Sequence, residues 1–92
     1  MRVPLLMPNL DLGDQPVTAS CWLTPLGREV VRGDRLLEVS AAAVTVDLPS
    51  PATGRLVERC VLEGDVVQID QVLAVIESPE SPESPESPES PE

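Results

Sequence analysis

The stretch VTVDLPSPATG, residues 44–54, carries the clearest structural pattern in this chain of 92 residues. Val44, Val46 and Leu48 alternate with polar residues, and successive side chains of a strand point to opposite faces of a sheet. The pattern therefore predicts a β-strand with one buried face. The prolines and the glycine that follow are typical of a turn, so we expect the strand to end near Pro49.

Short apolar runs recur on both sides of this strand, separated by clusters of Gly, Pro, Asp and Asn. They predict further strands within residues 3–7, 17–23, 36–39, 56–61 and 72–76. No stretch of ten residues keeps a helical period without one of these breakers. The prolines fall at the ends or edges of the runs, where a missing N–H donor costs little. We therefore predict an all-β domain, a sandwich or flattened barrel of short strands.

The two halves of the chain resemble each other. A shift of 36 residues aligns Leu, Val and Asp positions, and a shift of 37 aligns Gly27 with Gly64, Val30 with Val67 and Leu36 with Leu73. Each half is expected to hold a strand, a glycine turn, a short strand, another turn and a further strand. Because neither half can bury its apolar face alone, we expect the two to close into one barrel by pseudo-twofold symmetry.

Residues 78–92 are five uninterrupted copies of Ser-Pro-Glu. Proline at every third position removes backbone donors and fixes φ, and nothing in the segment favours burial. We therefore predict a domain over residues 1–77 and a disordered, extended tail over residues 78–92. The tail is interpreted as a spacer or solubilising segment, or as a phosphorylation tract, since Ser-Pro recurs in it.

All six basic residues are arginine, and the chain contains no lysine, histidine, phenylalanine or tyrosine. This excludes a Schiff base or an amide-linked cofactor on lysine, and it excludes imidazole as a general base or zinc ligand. The net charge of −10 repels phosphates and anionic lipids, so neither nucleic acid nor a membrane is an expected partner. With no apolar span or secretory signal in the sequence, the expected location is cytoplasmic.

Several single residues need an interpretation. Cys21 and Cys60 match no metal-site or redox-pair spacing, and we interpret them as small hydrophobic residues rather than a disulfide or functional thiols. Trp22 is expected to fill the core, with a half-exposed contact role as the alternative. The aspartates fit no EF-hand loop and are interpreted as turn formers rather than metal ligands; they are Asp11, Asp14, Asp34, Asp47, Asp65 and Asp70.

Arg28, Arg32 and Arg35 form a local basic cluster. One interpretation is a solvated face with weak ion pairs to Glu29 and Asp34. The other is a docking site for an acidic partner or for the acidic tail of the chain itself. The sequence leaves both open.

Four segments in the body of the chain, residues 2–77, stand out by their order and spacing: VPLLMPNLDLGDQPVTASCWL (3–23), LGREVVRGDRLLEV (26–39), VTVDLPSPATGRLVE (44–58) and EGDVVQIDQVLAVIE (63–77). In this order they resemble the lipoyl/biotinyl domain family, which supplies the swinging-arm carriers of 2-oxo acid dehydrogenase complexes and biotin-dependent carboxylases. Arg28 stands where the family usually has Asp. The resemblance implies a flattened barrel of two small antiparallel sheets, with both chain ends opposite the carrier turn, and it favours the lipoyl branch.

The resemblance also implies where a cofactor would be attached. The family links lipoate or biotin to a lysine at the tip of a tight turn between two strands. Alignment on Pro49-Ser50-Pro51 places that lysine at Ala43, in the predicted turn Ser40, Ala41, Ala42, Ala43. An alanine methyl cannot form the amide, so we predict no bound cofactor. Three origins of the alanine stay open: an engineered change, divergence in a genome that favours Arg and Ala, and partial redesign.

These observations leave two classes of function. The first is a degenerate lipoyl-like domain that acts as a non-catalytic binding or scaffold module for protein partners. The second is an acyl- or cofactor-carrier component of a 2-oxo acid dehydrogenase or biotin carboxylase type complex, which the missing lysine opposes. We predict no enzyme activity, since the chain has no constellation of base and nucleophile and is too small to enclose much of a substrate pocket.

Overall fold

The computed structural model of the chain describes residues 1–79. This part contains eight β-strands and no helix, which confirms the predicted all-β class. The predicted tail, apart from Ser78 and Pro79, lies outside the described residues. The strands are β1 (Arg2–Leu6), β2 (Val17–Trp22), β3 (Glu29–Val30), β4 (Arg35–Ala41), β5 (Val44–Pro49), β6 (Gly54–Arg59), β7 (Val66–Val67) and β8 (Val72–Glu77).

The strands form two antiparallel sheets of four, in the orders β1-β8-β6-β3 and β5-β4-β2-β7. All six runs that the sequence predicted as strands are strands, and β3 and β7 are the predicted short strands between the glycine turns. Pro4 in β1 and Pro49 in β5 both lie on edge strands, where the missing donor breaks no ladder. The fold is thus the predicted pair of small sheets.

A shift of 37 residues relates the two halves. It carries β2 onto β6, β3 onto β7 and β4 onto β8, residue for residue at the start of each strand. The sheet orders follow the same mapping, with β1 corresponding to β5. The alternative shift of 36 aligns more letters of the sequence but puts buried positions against exposed ones. The predicted pseudo-twofold symmetry is therefore present, in the register that the three-position match indicated.

Irregularities and cross-links repeat with the symmetry as well. The ladder between β2 and β4 shifts register between Ala19 and Cys21, and the ladder between β6 and β8 shifts between Leu56 and Glu58. The Gly27 N–H donates to Leu56 O at 2.7 Å, while the Gly64 N–H donates to Ala19 O at 2.7 Å. Each half therefore ties its glycine turn to a strand of the other half.

The core lies between the two sheets and consists mainly of aliphatic side chains. Equivalent positions are buried in both halves, as in the pairs Leu36 and Leu73 or Val39 and Ile76, all at 0% exposure. Each short strand pairs with a strand of the other half. β3, from the first half, pairs with β6, and β7, from the second half, pairs with β2. Each half thus completes the other's sheet, which explains why one half has no complete core of its own.

The predicted alternation in β5 holds only at its far end. Leu48 is 2% exposed and packs in the core, whereas Val44 is 43% exposed and Val46 is half-buried. Burial therefore falls along β5 from Leu48 to Val44, at the hairpin that joins β5 to β4. A period of two in the sequence identifies a strand but does not show how far the opposite sheet extends over it.

Both described chain ends meet at one place. The Ser78 N–H donates to Met1 O at 2.7 Å, and the terminal amine of Met1 donates to Ser78 O at 2.8 Å and pairs with Glu77 at 3.0 Å. Ser78, assigned to the tail by its sequence, is buried at 4% exposure in this arrangement. The last folded contacts thus include the first residue of the Ser-Pro-Glu repeat.

Candidate functional site

The hairpin between β4 and β5 is the candidate site. Five successive residue pairs, from Leu37↔Leu48 to Ala41↔Val44, hold its two strands in register. Only Ala42 and Ala43 remain between the last pair, so the connection is a two-residue turn. Such a turn projects its central side chains away from both sheets, which suits a position that a partner or a modifying enzyme must reach.

The turn is narrower than the sequence predicted. Ser40 and Ala41, expected within it, belong to β4, where Ser40 lies between Thr18 and Thr45 in the sheet. Ala41 pairs with Val44 and is 4% exposed, so its methyl group is not accessible at the tip. The family resemblance indicated where the hairpin lies, and the pairing of Ala41 with Val44 sets the length of its turn.

Ala42 has a φ of 53°, in the left-handed region, whereas Ala43 does not have a positive φ. A non-glycine residue in this region costs roughly 1–2 kcal/mol. Both alanines are exposed. The tip therefore combines a small, accessible side chain at Ala43 with modest backbone strain at Ala42.

The surface beside the tip comes from the first loop and from the short strand β7. Thr18 of β2 lies opposite Ser40 on one side and Val66 on the other, so β7 sits one strand away from the hairpin. Val44 and Val66 are 43% and 55% exposed. The loop over residues 8–16 and β7 enclose a cavity of about 460 Å³ at this end. Val44 directly follows the turn and gives the tip an exposed apolar side chain. Val66 lies on the opposite edge strand and faces the other side of the sheet.

The tip and the chain ends lie at opposite ends of the domain. Arg55, near the start of β6, pairs with Glu77 beside the chain ends. From there β6 runs away for about 17–20 Å, the length of a six-residue strand, and leads through a turn into β7 beside Thr18. This agrees with the arrangement that the family resemblance implied.

The aspartates at the glycine turns act as turn formers, as predicted. Asp34 Oδ2 accepts a hydrogen bond from the Val31 N–H at 2.9 Å, and Asp65 Oδ2 accepts one from the Leu62 N–H at 2.9 Å. Under the 37-residue shift, the counterpart of the Val31–Asp34 bond is the bond from the Gln68 N–H to Gln71 Oε1 at 2.8 Å. The Leu62–Asp65 bond corresponds to Pro25 and Arg28, so it does not repeat. Within residues 1–79, no three Cys, Asp or Glu side chains come together in a group that could hold a metal ion.

The predicted ion pairs of the basic cluster are wrong. Glu29 pairs instead with Arg55 at 3.2 Å, Asp34 closes its own turn, and Arg35 pairs with Asp47 at 3.2 Å. The reason is cross-strand geometry: Glu29 lies directly opposite Arg55, a neighbour that the sequence alone does not reveal. Arg28 and Arg32 are left exposed, and neither forms an ion pair with any residue in the described part of the chain.

Trp22 is half-buried rather than a central filler of the core. Its ring packs against the edge of the core, its indole N–H donates to Val61 O at 3.1 Å, and the Arg59 guanidinium lies 5.0 Å from the ring centroid. Aliphatic side chains fill the centre instead, because two small sheets leave little room for an indole. The alternative of a partly exposed residue describes Trp22 better.

Both cysteines are free thiols, so Cys21 and Cys60 form no disulfide. Both are exposed, so neither is buried as a small hydrophobic residue would be. Cys21 follows the register shift in β2, which turns its side chain outward, and Cys60 follows the end of β6. Partial desolvation, with a smaller contribution from the Glu58 carboxylate, raises the pKa of the Cys60 thiol. The thiol of Cys60 therefore ionises less readily than an unperturbed one.

The model of the family described as "Biotin-requiring enzyme" matches residues 7–76 of the chain. The chain is 32% identical over 78 residues to the dihydrolipoyllysine-residue succinyltransferase component of the 2-oxoglutarate dehydrogenase complex of Bartonella vinsonii subsp. berkhoffii. It is 37% identical over 70 residues to the dihydrolipoyllysine-residue acetyltransferase component of the pyruvate dehydrogenase complex of Corynebacterium glutamicum. These matches cover 85% and 76% of this chain, but only 19% and 10% of the two relatives.

A solved structure shows the same fold at lower identity. That structure is of a single-chain, multi-domain long-chain acyl-CoA carboxylase. The match covers 87% of this chain and 7% of the carboxylase chain. The TM-score is 0.68 and the sequence identity is 21%. Among residues 1–79, no helix is long and apolar enough to cross a membrane. From the family match and the arrangement of its strands, the chain belongs to the biotin/lipoyl domain family.

Proposed function

We propose that this chain is a biotin/lipoyl domain that carries no cofactor and acts as a non-catalytic binding or scaffold module for other proteins. The observation that carries the proposal is the residue at the hairpin tip. The resemblance to the family puts the attachment lysine at Ala43, the second residue of the two-residue turn. No lysine occurs at any of the 92 positions, so no other side chain of this chain offers the amine that the amide requires.

The surroundings of Ala43 support a binding role. The turn is accessible, and the apolar side chain of Val44, the first residue after the turn, is exposed beside it. The end of the domain that holds the tip is therefore the end that we propose to contact partner proteins. Surfaces of this kind bind through apolar contacts whose burial contributes about 25 cal/mol per Å².

The alternative function is that of an acyl- or cofactor-carrier component in a 2-oxo acid dehydrogenase or biotin carboxylase type complex. The names of the relatives favour it, since they are acyltransferase components of such complexes. Their match covers a fifth of their length or less. Carrier function in this chain would therefore need an attachment chemistry that does not use lysine.

Intact mass after enzymatic loading separates the two functions. The full chain is incubated with lipoate ligase and lipoate, and separately with biotin ligase and biotin. We expect no change of mass, because Ala43 offers no nucleophile. A gain equal to one lipoyl or biotinyl group would contradict the proposed function and support the carrier alternative.

The double variant Ala42→Asp, Ala43→Lys tests the position of the site. If Ala43 stands at the attachment position, this variant becomes an acceptor in one of the two reactions. Leu26→Lys is the matched control, because it places a lysine on an exposed turn outside the hairpin, and we expect it to stay unmodified. A folded double variant that gains no mass, or equal labelling of both variants, would refute the assignment of Ala43.

A further inference from the structure

An open groove runs beside β3, where the chain leaves the domain. It has a volume of about 540 Å³, and the side chains that line it include Met1, Val30, Val31, Arg55 and Pro79. Met1 is 54% exposed and Val31 is 61% exposed. The last described residue, Pro79, thus already lies against an apolar surface that the described residues leave uncovered.

The symmetry-related surface on the other half is covered differently. There β7 takes the place of β3, and Gln68 takes the place of Val31 under the 37-residue shift. The loop over residues 8–16 lies against that surface, and Leu10 packs on the core. In the second half, β5 and β6 correspond to β1 and β2, and only residues 50–53 join them. This connection contributes Thr53 to the lining but is too short to cover the groove beside β3. An exposed valine therefore stands where the covered half has a glutamine.

The charges around the groove favour an acidic occupant. The two acids that line it are already paired, Glu29 with Arg55 and Glu77 with the terminal amine and Arg2. Arg32 adjoins the groove, since its N–H donates to Thr53 Oγ1 at 3.0 Å and Thr53 is part of the lining. Arg28 follows Gly27, whose carbonyl oxygen accepts a hydrogen bond from Arg55. Neither Arg28 nor Arg32 has an acidic partner within residues 1–79. Two exposed positive charges thus flank the groove.

The sequence that continues from Pro79 has matching chemistry. It places a glutamate at every third position, at Glu80, Glu83, Glu86, Glu89 and Glu92. A polyproline II helix has three residues per turn and rises about 3.1 Å per residue. In that conformation the prolines would share one edge and the glutamates another, and thirteen residues would reach roughly 40 Å.

We propose that residues 80–92 of this chain fold back onto the groove beside β3. Their prolines contact Met1 and Val31, and their glutamates pair with Arg32 and Arg28. The tail thereby covers the one half of the domain that has no loop to cover it. The tip at Ala43, at the opposite end, stays free for partners.

Backbone amide chemical shifts of the full-length chain test this docking. One variant replaces the five tail glutamates from Glu80 to Glu92 with glutamine and keeps the length of the chain. We expect it to shift the amides of Val31, Thr53 and Arg55 while leaving those of the hairpin tip unchanged. A variant with serines 81, 84, 87 and 90 changed to alanine keeps the charge and should match the wild type.

Two further measurements sharpen the result. The double variant Arg28→Gln, Arg32→Gln should change the chemical shifts of the same amides. Arg35→Gln should not, because Arg35 pairs with Asp47 within the sheet that does not contain β3. Salt at about 0.5 M should bring the wild type towards the glutamine variant, because it screens exposed charge pairs. The docking is refuted if the glutamine variant matches the wild type, if salt has no effect, or if the shifts depend on protein concentration, which would indicate a second copy as the occupant.

Discussion

The two halves of the domain share a backbone and differ at their ends. Strands β2, β3 and β4 repeat as β6, β7 and β8 with the same spacing, the same register shifts and the same cross-links. In the first half, β4 continues through Ala42 and Ala43 into β5. In the second half the corresponding strand, β8, reaches the end of the described chain beside Met1. The hairpin tip, which follows β4, and the end of the described chain, which follows β8, thus occupy equivalent positions in the two halves.

This difference separates what the fold requires from what it leaves free. Positions that repeat are those that the two sheets need, such as the buried leucines Leu36 and Leu73 and the glycines of the cross-linked turns, Gly27 and Gly64. Positions that do not repeat, such as the loop over residues 8–16 and the hairpin tip, can vary without loss of the core. Function in this family member is therefore expected at the unrepeated positions.

The largest expected effect tests the repeated core. Leu36→Ala and Leu73→Ala each remove a fully buried side chain at equivalent positions. We expect each to lower the free energy of unfolding by about 3 kcal/mol, measured by urea denaturation. Leu26→Ala, at a residue that is 56% exposed, is the control and should change stability by less than about 0.5 kcal/mol. Losses that differ by several-fold between the two leucines would break the equivalence of the halves.

The next effect tests a position where the halves differ. Gly54 corresponds to Val17, yet a Cβ at Gly54 would meet the carbonyl oxygen of Glu77 and lie 2.9 Å from Ser78 Cα. We expect Gly54→Ala to cost about 2 kcal/mol through steric overlap, measured by thermal or urea unfolding.

Gly33→Ala is the matched control for that steric effect. Gly33 has open space around its missing side chain but a φ of +96°, so its substitution tests backbone strain without overlap. It should cost about 1 kcal/mol. If Gly54→Ala proves as mild as a surface substitution, the close packing of Ser78 against the second half is not as described.

A smaller effect tests the turn aspartates. Asp34→Ala and Asp65→Ala each remove the acceptor for one turn N–H, that of Val31 or Leu62. We expect a loss of about 1 kcal/mol in each case, by urea denaturation. Asp34→Asn and Asp65→Asn keep an oxygen acceptor and should retain most of the stability. Equal losses for alanine and asparagine would point to charge rather than hydrogen bonding as the cause.

The smallest effect tests the hairpin tip, and its sign is the informative part. Ala42→Gly relieves a residue with a φ of 53° and should raise the free energy of unfolding by about 0.5 kcal/mol, since relief of strain exceeds the entropy cost of glycine. Ala43→Gly has no such strain to relieve and should lower it by a similar amount. Thermal unfolding of the two variants side by side measures the difference. The same sign for both would contradict the described turn.

Much of the fold followed from local patterns in the sequence. Alternation at Val44, Val46 and Leu48 identified a strand, and the glycine turns located the breaks between strands. The repeat was visible too, but two shifts competed because valine and leucine recur often enough to match by chance. Only the burial of Leu36 with Leu73 and of Val39 with Ile76 selected the 37-residue register.

The errors share one physical cause, which is that neighbours across a sheet are remote in sequence. Glu29 pairs with Arg55 because β3 crosses to the other half's strand, and Trp22 meets Arg59 for a similar reason. The outward turn of Cys21 depends on a register shift that no local pattern announced. Sequence patterns report the period of a strand but not which strand lies beside it.

The sequence by itself determined the chemistry that this chain lacks: without lysine, no cofactor can be amide-linked to a lysine side chain anywhere in it. It also determined the strand class, because alternation and turn residues act locally. The tertiary structure decided which residues stand alone at the tip, since pairing of Ala41 with Val44 leaves only Ala42 and Ala43 in the turn. It also decided which half the described loops leave uncovered, because the loop over residues 8–16 lies beside β7 whereas residues 50–53 are too short to cover β3.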